Sequence, residues 1–145
     1  MFEKIDAIQD EEFQSHFLNY ICVLISGYLE KELYSIIKDY KTTGHCKAHE
    51  CKNNFQSIGK IYNAKWCAIR PIIMNIDASI FDKLQANCGD DFDEVIDSIN
   101  NIVNTRHKIA YGVNVTNLTK NILIENLEKI ELLIRELKNI FNNMA

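Results

Sequence analysis

The sequence predicts an all-α fold, a helical bundle with a long first helix. Three observations point there. One proline and five glycines in 145 residues leave long stretches free of breakers. Apolar residues recur at three- and four-residue spacings rather than alternating. The first such stretch runs unbroken from Asp10 to Tyr40, which as a helix spans about 45 Å. A chain of this length buries a proper core, so a single domain over 1–145 is expected.

The first helix starts cleanly. Asp10 suits the N-cap, and Glu11 and Glu12 fall in the first turn, where carboxylates complement the helix dipole. Its apolar residues form two stripes. Phe13, Phe17, Tyr20, Ile21, Leu24 and Tyr28 make one; Leu18, Cys22, Ile25, Leu29, Leu33, Ile36 and Tyr40 make the other. Two stripes require two buried sides, the second met by another part of the bundle or by a second subunit. Ser26 and Gly27 would let a neighbour approach closely. Glu30 lies off both stripes, beside Ser26 and Gly27. It is either a solvated glutamate or an acidic partner for a cation across the helix pair.

From Lys41 to Asn53 the pattern breaks, and a polar loop is expected. It holds His45, Cys46, His49 and Cys51, all zinc-ligand types. Their cramped spacing matches no common zinc arrangement, so no metal or other cofactor is assigned. Asn54 to Trp66 reads as a short helix, with Trp66 in the core. Arg70-Pro71 should end or kink the following run, since a residue before proline avoids helical backbone. Ile72 to Leu84 is apolar and helical in part, with Ile76, Ile80 and Leu84 four apart. Asn87 to Asp90 reads as a turn, and Asp90 or Asp91 as a cap. After a short connection, Thr119 to Asn142 is amphipathic. Leu123, Leu127, Ile130, Leu133, Ile134, Leu137, Ile140 and Phe141 face inward, and Glu131 and Arg135 pair outside.

The chemistry concentrates at the end of the helix from Asp91 to Tyr111. Phe92, Val95, Ile96, Ile99, Ile102 and Val103 share its apolar face at about 100° per residue. Arg106 continues that face, placing a permanent cation on the buried stripe. His107 and Tyr111 are four apart on the adjoining face, and Gly112 is placed to close the helix in a left-handed cap. Basic residues in a last turn often do no more than bond free carbonyls and offset the dipole. A guanidinium on a buried stripe nevertheless needs an acceptor, and phosphate is a good one.

The stretch Asn104-Thr105-Arg106-His107-Lys108-Ile109-Ala110-Tyr111-Gly112 resembles the signature of the HEPN superfamily, in particular its RiboL-PSP-type and related bacterial defence members. That signature is an arginine, a polar residue and then a histidine, often followed by glycine. Arg106 matches the arginine, His107 the polar residue, and Ile109, Ala110 and Gly112 the common ending. Tyr111 departs from it, standing at the histidine position. The segment Ile25-Ser26-Gly27-Tyr28-Leu29-Glu30 and the helical organisation extend the likeness more weakly along the chain.

The resemblance implies a compact helical bundle and a metal-independent endoribonuclease, working as a homodimer with both motifs lining one cleft. RNA is the implied substrate, and an antitoxin or another defence-system protein the implied partner. By the same transfer Arg106 grips the scissile phosphate, His107 positions substrate or takes over proton transfer, and Glu30 supports the site. The acid or base belongs at position 111, where a phenol, ordinarily titrating near pH ~10, serves poorly. Two accounts of Tyr111 stand. A natural tyrosine leaves a weak or inactive nuclease that binds RNA or a partner. An inactivating change is one base away from a histidine codon. In related members a tyrosine two residues beyond the histidine is modified by a partner nucleotidyltransferase; residue 113 here is valine. An unrelated helical interaction domain, with Arg106 a mere cap, is the third reading.

Composition narrows the classes. A net charge of −4 excludes a generally basic nucleic-acid binder, so RNA would need a local cleft, with Arg106, His107 and Lys108 the candidates. No apolar run reaches the length of a membrane span. The first residues lack a signal peptide's apolar core, and five scattered cysteines read as reduced and mostly buried thiols, so the cytoplasm is expected.

Overall fold

A computed structural model describes residues 1–42, 64–113 and 115–144. Among these the chain is helical without a strand. Five α-helices follow a short 3-10 turn at Phe2–Lys4: α1 Glu11–Thr42, α2 Trp66–Ile76, α3 Ala78–Cys88, α4 Phe92–Ala110 and α5 Lys120–Asn143. The candidate ligands His45, Cys46, His49 and Cys51 lie outside the described residues, as does the helix expected at Asn54–Trp66 up to residue 63; Ala64 and Lys65 are not helical, and Trp66 opens α2.

The α1 start follows its sequence. The Asp10 carboxylate accepts from the backbone N–H of Glu12 at 2.9 Å and of Phe13 at 3.1 Å. The helix buries one stripe, not two. Cys22, Leu29 and Leu33 are at most 2% exposed, with Leu18, Ile25 and Ile36 close behind. Of the other stripe only Ile21 is buried; Phe13 is 70% and Tyr20 55% exposed. Ser26 is fully buried, whereas Gly27 faces open space.

Pro71 does not end a helix. It lies inside α2 on the exposed side, one turn after exposed Cys67. The Cys67 carbonyl that loses its helical donor is therefore on the wet side, where the loss is tolerable. The break comes instead at Asp77, whose extended backbone separates α2 from α3 and whose carboxylate accepts from Ser79 N–H at 2.8 Å. Those hydrogen bonds hold the Asp77 carboxyl below its ordinary value. Asp77→Ala should cost about 1 kcal/mol of stability. A depressed folded pKa contributes above the unfolded value and is lost as pH falls through the folded one. The gap between wild type and variant should therefore close below about pH 4 in chemical denaturation.

α3 runs on to Cys88, and a 3-10 turn at Gly89–Asp91 leads into α4. Asp91 precedes α4 but makes no side-chain cap. Its carboxylate takes Lys129 of α5 at 3.0 Å, and Glu94 takes the same ammonium at 2.8 Å. A cross-helix cation outcompetes the cap because it clamps α4 to α5. On α5, Thr119 caps through its hydroxyl to Ile122 N–H, and the expected apolar face is buried or half-buried throughout. Arg135 reaches its neighbour Glu136, not Glu131.

α5 is the hub. It packs against α1, α3 and α4, while α1 also packs on α4 and α2 on α3. Trp66 is core, as expected: it sits edge-on to Phe92 and tilted against Phe81, with the Arg70 guanidinium 4.9 Å over the Phe81 ring. Burial pushes the Cys22 thiol up to about 11 and raises Cys88. Cys67 is exposed. In native protein, residue-resolved thiol labelling should modify Cys67 and spare Cys22 and Cys88 until denaturant is added.

Candidate functional site

The motif end of α4 is held by backbone geometry. Tyr111 N–H donates to His107 O, Gly112 N–H to Ile109 O and Val113 N–H to Lys108 O, at 2.9–3.1 Å. This is a Schellman closure, and Gly112 takes the left-handed φ of +77° that it requires. A residue with a Cβ would be strained there although the space beside it is open. The last turn of α4 is thereby locked, and Arg106 leaves it at a fixed height.

Arg106 and Glu30 meet across the α1–α4 packing. Arg106 Nη1 donates to Glu30 Oε1 at 2.7 Å, and both side chains are mostly covered, at 29% and 21% exposed. A guanidinium has five donors in a rigid plane, and a carboxylate on one of them orients the rest. Glu30 also cancels much of the local charge, so the exposed cation in this turn is Lys108. His107 is half-buried. Tyr111 is 87% exposed at the C-cap. Of the four candidates, the structure joins Arg106 and Glu30 directly, leaves His107 half-buried on α4, and stands Tyr111 out in solvent.

Beside this end lies a groove of about 360 Å³, lined by His16, Asn19 and Tyr20 from α1, Ile109 from α4, and Gly112 and Val113 just after α4. His16 also lies 3.7 Å from Glu12. The α1 residues of this groove carry no signal in the sequence: they are about ninety positions from the motif, and only helix packing brings them to it. Another groove, between α4 and α5, is lined by Glu94, Asp97, Glu125 and Glu128 with Lys129. Four carboxylates repel a polyanion, so this groove is not suited to phosphate. Among the described residues no group of three or more His, Cys, Asp or Glu side chains is arranged to hold a metal ion. Nor, among them, is any helix long and apolar enough to cross a membrane.

The family model for RiboL-PSP-HEPN matches residues 2–143. No curated protein and no solved structure gives a significant match. The matched span covers nearly the whole chain, and the all-helical organisation of the described residues accords with an all-α HEPN fold. The chain belongs to the RiboL-PSP-HEPN family.

Proposed function

We propose that this protein is a HEPN-type, metal-independent endoribonuclease of a toxin or defence system, weakened or silenced by tyrosine at position 111. The family ties the chain to nuclease or RNA-binding work in general. The observation that supports the finer reading is the Arg106–Glu30 pair at 2.7 Å in the last turns of a helix whose end is locked by Gly112; the groove at that end is lined by other residues. A carboxylate-oriented guanidinium there binds the scissile phosphate and stabilises the charge that builds on it when the 2′-hydroxyl attacks. That attack also needs a base for the hydroxyl and an acid for the leaving oxygen. His107 is half-buried one residue after Arg106, and Tyr111 is a phenol where imidazole chemistry belongs. Two copies, each contributing one motif, form the cleft, and an antitoxin-like protein is the natural partner.

The test is RNA cleavage in EDTA by the wild-type chain, by Tyr111→His, and by Tyr111→His carrying Arg106→Ala. Cleavage by the histidine form alone supports the reading. If no form cuts while all fold, the catalytic assignments fall. A second reading is favoured by Tyr111 itself: a non-catalytic HEPN module that holds RNA or a partner through Arg106. It expects RNA affinity lost in Arg106→Ala and no cleavage by either residue at 111.

A further inference from the structure

Among the described residues, α1 carries an apolar stripe that no other part covers. Phe13 is 70% exposed, Tyr20 55%, and Leu24 and Tyr28 37% each, with Phe17 half-buried between them. Together these side chains expose roughly 400 Å², a size at which apolar patches mark interaction sites. Gly27 lies on the same side of the helix. A Cβ there would meet nothing within 4 Å, so among the described residues no close approach accounts for a glycine in a helix interior. It is a notch open to an outside neighbour.

We propose that this face is where two copies of the chain pair, α1 against α1 in antiparallel register about the Tyr20–Ile21 peptide. The spacing of the stripe is the reason. Reversing α1 about that point lays Phe13 on Tyr28 and Phe17 on Leu24 and brings the two exposed Tyr20 side chains together at the axis, so the exposed part of the stripe is complementary to itself under a two-fold axis. The same reversal lays Asp10 on Lys31, both exposed, bringing the acidic start of one helix to a cation on the other. Phe13 of the second copy then falls over the Gly27 notch. The stripe supplies about half of the ~800 Å² per partner that a stable interface buries, and the residues along its flanks supply the rest. RNA suits this face less well, because Asp10, Glu11 and Glu12 stand at its start.

The pairing deepens the two-copy reading of the site, on which it rests. Tyr20 sits at the axis and also lines the groove formed with Gly112 and Val113. The two motif ends therefore flank the axis on either side of the paired helices.

The experiment combines mass in solution with cross-linking, in protein whose Cys46, Cys51 and Cys67 are serine. By sedimentation across the micromolar range the chain is expected to be a dimer. Tyr20→Asp and Gly27→Leu are each expected to weaken association about tenfold or more. Gly27→Leu also raises the melting temperature of the dilute monomer, because leucine is the better helix former. Phe17→Cys mixed with Leu24→Cys is expected to form an intermolecular disulfide. Either variant alone forms far less, its own thiols being about 10 Å apart along the axis. A monomer at every concentration overturns both the α1 pairing and the two-copy cleft. A dimer whose mixed cysteines link no better than the single ones overturns the pairing alone. So does a Tyr20→Asp variant that loses RNA affinity at unchanged mass. Correct cross-linking with no cleavage by Tyr111→His supports the pairing and counts against the catalytic reading instead.

Discussion

Tyr111→His should raise RNA cleavage by about 10²–10⁴-fold, the usual contribution of a positioned proton-transfer group. The substitution is mild for the fold. Tyr111 is 87% exposed at the C-cap, and the bonds it makes there belong to its backbone. A histidine accepts the same near-helical backbone, so the melting temperature should hardly move and any gain belongs to chemistry. Arg106→Ala in that background should remove about 10²–10³-fold, the loss typical of one charge-stabilising donor. It also leaves Glu30, four-fifths covered, without its guanidinium. Arg106→Lys separates the two roles of the residue: it keeps a cation for Glu30 but loses the planar fork for phosphate. Restored stability with activity still absent would assign Arg106 to the substrate. Restored activity would mean that charge alone suffices.

The largest loss of stability is expected on the covered side of α1. Leu29 is fully buried in the core cluster it shares with α4 and α5. Leu29→Ala should cost about 2–5 kcal/mol, a large share of the ~5–15 kcal/mol that holds such a domain together. Leu24→Ala, five residues earlier on the exposed stripe, should change monomer stability by no more than about 0.5 kcal/mol. Urea denaturation of dilute protein measures both. Equal costs at the two positions would mean that the bundle covers both sides of α1, and would remove the free face along with the pairing built on it.

Much of the architecture was legible because helix signals are local. Asp10, Thr119 and Gly112 do the capping their residue types suggest, and the buried faces of α4 and α5 follow their periodicity almost residue for residue. The misreadings share a cause. Pro71 and Asp77 compete to end the same run; proline is the stronger breaker in isolation, yet it sits on the wet side where its missing bond costs little. Asp91 has a good local role as a cap and takes Lys129 instead, because a charged side chain in the folded chain chooses among every opposite charge within reach, while Arg135 takes its immediate neighbour Glu136 over Glu131.

The chain by itself determined the all-α class, the long first helix and the turn that carries Arg106, His107, Tyr111 and Gly112, because periodicity, caps and a short motif are written within one or two helical turns. Tertiary structure decided that Glu30 rather than solvent receives Arg106, that His16 and Tyr20 border the motif end, and that one of two equally apolar stripes on α1 stays outside. Those outcomes depend on how helices far apart in sequence cross, and a helix's own sequence shows which sides are apolar but not which of them its neighbours reach.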